Sequence, residues 1–232
     1  MKTDMHCYVM GERRKVPEDF DSYFDPAKTA IVEIDMHRGH LDDSPECTCP
    51  LPSGRAKIQA HNEFNEAARQ LGVKIIHVRL IFRADGIDHI KGPKGPWPVV
   101  TPIYTFTFGA AMDNMVNHNL EGSRWTEFVV EVEEGDYIVN FKKRYSCFYQ
   151  TDLELLLTRL GVNNVVITGV MTDACDLCTA FDAVNRDYNV LIPQDVAAGT
   201  PECEQAALNI MSLHIGLVVN WRELVAEWKA RL

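Results

Sequence analysis

Short apolar runs alternate with helical stripes along most of the chain. Thr29 to Ile34 is a short apolar run ended by Asp35, the pattern of a strand buried in a parallel sheet. Val73 to Leu80, Tyr137 to Phe141, Asn164 to Thr168, Asn189 to Ile192 and Gly216 to Val219 repeat it. Between them, Ile58, Phe64, Ala67, Ala68 and Leu71 recur at helical spacing before Gly72. A second stripe, Leu153, Leu156, Leu157 and Leu160, follows the capping pair Thr151 and Glu154 and ends at Gly161. Residues 175–187, a segment starting at Thr200-Pro201, and Trp221 to Leu232 suit further helices. The alternation predicts an α/β protein, a three-layer α/β/α arrangement around a mostly parallel, about six-stranded sheet. Residues 29–232 read as one domain. Residues 1–28 are polar and read as an irregular N-terminal arm. Residues 82–128 break the pattern with Gly, Pro and aromatic residues, and read as an insertion or flap on the substrate side.

Composition narrows the class of partner. The 232 residues carry a formal net charge of −10, with 24% charged and 46% hydrophobic residues. Nucleic acid is not expected, because phosphate binding needs clustered Lys and Arg. No apolar stretch approaches a membrane span, and Met1 to Lys15 lacks the apolar core of a signal peptide. Seven cysteines form no disulfide framework, so a cytoplasmic, reducing setting is expected.

Ligand sites in open parallel sheets form beyond the carboxyl ends of the strands. That rule selects Asp35, Lys142 and the Gly169 to Cys175 loop. The three residue types suit one chemistry. A thiol needs activation to act as a nucleophile. A helix start and a nearby ammonium favour the thiolate, a carboxylate can move its proton, and backbone N–H groups can hold an oxyanion. Each residue also has an ordinary explanation: a buried filler cysteine, a loop-capping aspartate, a solvated lysine. Position alone leaves the two readings evenly balanced.

At these residues the chain resembles the isochorismatase-like superfamily of cysteine hydrolases. Three segments carry the likeness: Ala30 to Met36, Lys142 to Phe148, and Thr168 to Cys175 continued by Thr179 to Ala183. The resemblance implies a Rossmann-like sheet, Asp35 as general base and later acid, Lys142 as stabiliser of the thiolate, and Cys175 as nucleophile. It implies a cis peptide between Val170 and Met171, with the Met171 and Cys175 N–H groups facing the oxyanion. The product of attack would be an acyl or carbamoyl thioester. His37-Arg38-Gly39-His40 replaces the Gln-x-Asp-Phe found in many members. His77 to Leu80 shows no trace of the metal-binding Asp-x-His cluster of nicotinamidases. The resemblance therefore points to a small linear amide or ureide substrate, no cofactor, and a homo-oligomer, dimer or tetramer.

Other features compete for a role. His37, His40, Cys47 and Cys49 lie close in sequence, but the tight Cys-x-Cys pair argues against zinc, and no metal is expected. Cys175 and Cys178 form a Cys-x-x-Cys, so a thiol oxidoreductase is the rival reading. Cys178 is expected to face the helix packing. A binding protein that keeps the fold without catalysis is a third reading. His37, Trp97, Tyr104, Phe106 and His118 are candidates for the substrate pocket. Arg144 could meet a substrate carboxylate, although a structural salt bridge is the expectation for it.

Overall fold

A computed structural model describes residues 3–92, 94–96, 100–108 and 110–232. Its strands are β1 (His6–Val9), β2 (Glu12–Lys15), β3 (Thr29–Ile34), β4 (Lys74–Leu80), β5 (Tyr137–Lys142), β6 (Asn164–Gly169), β7 (Asn189–Pro193) and β8 (Leu217–Val219). The helices are α1 (Arg38–Leu41), α2 (Pro52–Arg55), α3 (Ile58–Arg69), α4 (Val100–Phe108), α5 (Leu153–Arg159), α6 (Leu177–Val184), α7 (Pro201–His214) and α8 (Trp221–Arg231). One eight-stranded sheet runs in the order β2-β1-β8-β7-β6-β3-β4-β5.

The six strands expected from their apolar runs are present and parallel to their neighbours. The sheet has eight strands because the N-terminal arm is not irregular. Its β1–β2 hairpin pairs antiparallel with β8. Every residue of β2 is exposed, so its sequence shows no apolar alternation. The Met10-Gly11 turn takes two positive φ angles, 52° and 79°, without the Asn-Gly signal of such turns.

The core has two sides, as a sheet with helices on both faces requires. Val32 and Ile34 of β3 pack with Leu153, Ala180 and Met211, from α5, α6 and α7. Ile31 packs with Phe64 of α3 and Trp228 of α8. The capping pair expected at α5 is not formed. Thr151 accepts a hydrogen bond from the Leu153 amide, while Glu154 pairs with Arg186 at 3.1 Å.

The chain lays down β3, moves outward to β4 and β5, then returns to the other side of β3 with β6. That reversal creates a switch point between β3 and β6, where the strand ends leave a crevice. Residue 82 opens the insertion beside this crevice. Phe82 bridges to Leu120, and His37 bridges to Phe128, which ties the insertion back to the loop after β3.

Candidate active site

Asp35 and Cys175 leave the two strands that flank the switch point, and Lys142 ends β5 two strands away. Asp35 has a left-handed φ of 54°, which turns the chain sharply at the end of β3. Gly169 stands opposite Ile34 in the β3–β6 register. A Cβ there would sit 2.1 Å from the Ile34 carbonyl oxygen, and its φ is +119°, so only glycine lets the strand ends approach this closely. A π-helical turn, Thr172–Asp176, follows and carries Cys175. The Val170–Met171 peptide is cis.

The three side chains meet. Lys142 Nζ donates to Asp35 Oδ2 at 2.5 Å and lies 3.2 Å from Cys175 Sγ. The other Asp35 oxygen accepts from the Leu80 amide at 2.9 Å. Asp35 and Lys142 are fully buried, and Cys175 is 7% exposed. Burial works to protonate Asp35, but the Lys142 ammonium and His37 outweigh it and hold the carboxyl well below the usual range. Burial works to neutralise Lys142, but Asp35 and Cys175 keep it charged. Burial pushes the Cys175 thiol up to about 12, against the opposing pull of Lys142. The resting set is thus a carboxylate, an ammonium and a neutral thiol. Lys143, the next residue, pairs instead with Asp88 at 2.8 Å.

A cavity of about 480 Å³, counted out to its mouth, opens above Cys175. Lys142, Met171 and Ala174 form its floor with Cys175, and Leu80, Phe82, Lys143, Arg144 and Tyr145 line it from the strand ends. His40 and Cys49 contribute from the loop after β3, and His89, Ile90, Lys91, Met115 and His118 from the insertion.

The imidazoles are neutral. Burial pushes His40 down to about 3, with His37 adding to the effect, and burial with three neighbouring imidazoles holds His118 well below its usual value. His40 Nδ1 donates to the Cys49 carbonyl at 3.1 Å, which leaves the lone pair on Nε2. His118 Nδ1 meets the Thr48 hydroxyl at 2.8 Å. His89 uses both nitrogens, one on the Met115 carbonyl and one on the Lys91 amide.

Of the candidate pocket residues that are described, only His118 lines this cavity. His37 lies beneath it, fully buried, with Nε2 2.7 Å from Asn119 Nδ2 and 3.7 Å from Asp35 Oδ1. Tyr104 stands behind Lys91, whose Nζ donates to its hydroxyl at 3.0 Å. Phe106 is 92% exposed. Trp97 lies outside the described residues. Sequence reasoning missed His89, Lys91, Met115 and Tyr145 as lining residues. No short-range periodicity marks them: His89, Lys91 and Met115 reach the cavity through the path of the insertion, and Tyr145 from the turn after β5.

Three further expectations change. Cys178 is exposed, so it does not face the helix packing. Its neighbour Cys175 faces Lys142 instead, and the two thiols have different surroundings. Arg144 makes no salt bridge to a carboxylate among the described residues. Its Nη1 donates to the carbonyls of Asp88 and Lys143 at 3.2 and 2.7 Å. The metal set also differs from the one considered above. Cys47 turns its thiol to the Arg38 and Gly39 carbonyls, whereas Asp35, His37 and His40 bring ligand atoms within 4.8 Å of one another. That trio does not fit a divalent ion. The Asp35 oxygens are taken by Leu80 and by a cation, Lys142, and His37 Nε2 faces Asn119. His77 serves a separate buried network, where Glu33 accepts from His77 at 2.7 Å, His61 at 3.0 Å and Asn65 at 2.9 Å.

A parallel sheet with a carboxylate, an ammonium and a thiol in contact at its switch point defines an isochorismatase-like protein with a cysteine-centred site. The chain belongs to the isochorismatase family: the model of the isochorismatase domain matches residues 29–223. It is 27% identical over 224 residues to the ureidoacrylate amidohydrolase RutB of Methylorubrum extorquens (strain ATCC 14718), covering 90% of this chain and 84% of that one. It is 30% identical over 209 residues to an Arabidopsis thaliana protein named "probable inactive nicotinamidase", covering 88% and 96%. The crystal structure of a cysteine hydrolase from Pseudomonas syringae pv. phaseolicola 1448A shares the fold, with a TM-score of 0.76 at 22% identity over 90% of this chain and 96% of that one. None of the described helices is long and apolar enough to cross a membrane.

Proposed function

We propose that this protein hydrolyses the C–N bond of a small linear amide or ureide through a thioester on Cys175. The contact of Lys142 with both Asp35 and Cys175 at the cavity floor carries this reading. The amidohydrolase relative supports the substrate class.

Asp35 accepts the Cys175 proton as Sγ bonds to the substrate carbonyl carbon. A resting neutral thiol fits a proton transfer made at the moment of attack. The carbonyl oxygen becomes an oxyanion, received by the Met171 and Cys175 N–H groups. Its collapse breaks the C–N bond, and Asp35 returns the proton to the departing nitrogen. Ammonia or an amine leaves, and the acyl or carbamoyl group stays on Sγ. Water then attacks the thioester, Asp35 takes a water proton, and Cys175 leaves and regains it. Lys142 holds the carboxylate in place and stays charged throughout.

The test is ammonia release from a panel of ureides and primary amides, with Cys175→Ala as control. Release by the parent chain and none by the variant is expected. No release from any member, or equal release by the variant, would sink the proposal.

A further inference from the structure

We infer that Asp176 is a positioning residue for the reaction: it stands one residue past the nucleophile as an uncharged acid, and turnover falls when it ionises. This rests on the hydrolase reading and adds a condition to it.

Asp176 closes the turn that carries Cys175, where its N–H donates to the Met171 carbonyl at 3.2 Å. The side chain is 3% exposed and takes no part in the cavity wall. Oδ1 has no hydrogen-bond partner, and no cation pairs with the carboxyl, among the described residues. Lys142 is spent on Asp35. A buried carboxylate without hydrogen bonds or a counter-ion is far costlier than the neutral acid, so the group keeps its proton. Its surroundings agree. Burial favours the acid most, Asp35 at the end of β3 adds to it, Lys142 at the end of β5 opposes it, and Asp173 in the same turn supports it. The other elements packed on the turn turn their charges elsewhere. Strand β6 has no charged side chain. Glu204 of α7 accepts from the Gly199 amide at 2.9 Å, and Asp182 of α6 from the Ser146 hydroxyl at 2.5 Å.

The reaction gives that neutrality a purpose. At rest the negative charge of the trio sits on Asp35. Attack moves the Cys175 proton to Asp35 and places negative charge on the oxyanion, facing the Met171 and Cys175 N–H groups. The charge thus arrives one peptide away from Asp176. A neutral acid there leaves it undisturbed, whereas a carboxylate would repel both the oxyanion and the sulfur as it gives up its proton.

Asp176→Asn keeps the shape of the neutral acid and cannot ionise. Ammonia release is followed from pH 6 to 10 in the full-length parent and variant. The parent should lose activity on the alkaline side. Asp176→Asn should stay within about tenfold of the parent at its optimum and should lose that alkaline limb, or move it up by about one pH unit or more. A parent without an alkaline limb, a limb unmoved in Asp176→Asn, or a larger loss at the optimum overturns the inference. Urea midpoints judge the uncharged acid without any substrate. The unfolded carboxyl ionises above its ordinary 3.8 while the folded one keeps its proton, so the parent alone loses stability here as the pH rises. The midpoint of Asp176→Asn should therefore gain on that of the parent from pH 4 to 8. A constant or narrowing gap also overturns the inference. Asp176→Ser, smaller and equally uncharged, repeats both measurements, so misfolding of one variant does not decide the outcome. A widening gap without ammonia release from the parent removes the hydrolase reading and leaves the acid uncharged. Release with a constant gap does the reverse.

Discussion

Lys142 donates to Asp35 across 2.5 Å, and neither side chain reaches solvent. A buried pair of this kind is costly to break, because the survivor keeps its charge without a partner. Lys142→Met should abolish turnover and cost about 3–5 kcal/mol of stability. The double variant Asp35→Asn, Lys142→Met should recover most of that stability and none of the activity. Urea unfolding of the parent, Asp35→Asn, Lys142→Met and the double variant checks this. Additive losses in the double variant would show that the two charges do not depend on each other.

Cys175→Ala should remove activity by at least about a thousandfold, as loss of a covalent nucleophile does. The thiol is small and close to the surface of a cavity, so stability should change by less than about 2 kcal/mol. Ammonia assays and thermal melts measure the two effects. Retained turnover would place the nucleophile elsewhere.

Cysteine labelling separates the hydrolase from a dithiol enzyme. Cys178 and Cys203 are exposed, whereas Cys175 is buried with its thiol held protonated to about 12. Brief iodoacetamide treatment near neutral pH should modify Cys178 and Cys203 first, read by peptide mass spectrometry. Cys178→Ser should leave amide turnover intact. Dithiol exchange that disappears in Cys178→Ser would restore the redox reading.

Stability should rise with pH between about 3 and the ordinary histidine value of 6.5. His37, His40 and His118 all sit below that value when folded. The unfolded chain therefore binds more protons as the pH falls, and stability is lost through this window. Asp35, held below its ordinary 3.8, adds to the loss at the acid end. His77, whose charge burial opposes but which Glu33 and Asp136 raise overall, works the other way, as do Asp176 and Asp195, which burial raises. Urea midpoints from pH 4 to 8 should show the slope, and His40→Gln should make it shallower. A midpoint that does not change with pH would contradict the neutral cluster.

Gly169→Ala should be severe for its size. The added methyl meets the Ile34 carbonyl at 2.1 Å in a backbone region that L residues avoid. The ends of β3 and β6 would part, moving Asp35 and the Cys175 turn together. We expect a loss of about 2 kcal/mol or more, by the backbone-strain route, with activity lost alongside. Chemical unfolding and turnover assays report both.

The sequence made the centre of the sheet legible because β3 and β6 are buried on both faces and read as continuous apolar runs. Asp35, Lys142 and Cys175 were legible too, since each follows such a run. The hairpin was not, because β2 is wholly exposed and carries no periodic signal. The cavity wall was not, because His89, Lys91 and His118 reach it through an insertion whose path no local pattern sets. His37 stood among the pocket candidates as a polar residue of the loop after Asp35. In space the loop turns it under the floor against Asn119. Phe106 looked like a pocket aromatic but points to solvent. Local order along the chain predicted elements well and predicted facing poorly.

The insertion closes on itself at the Phe82–Leu120 bridge and meets the framework at the His37–Phe128 bridge and through side chains such as His118 on Thr48 and Asp88 on Lys143. The groups proposed to break the bond thus belong to the strand ends of the sheet, while much of the cavity wall belongs to the insertion. A lineage can exchange that segment without rebuilding the reactive trio. One scaffold is thereby open to inheriting new substrates by grafting rather than by reinvention.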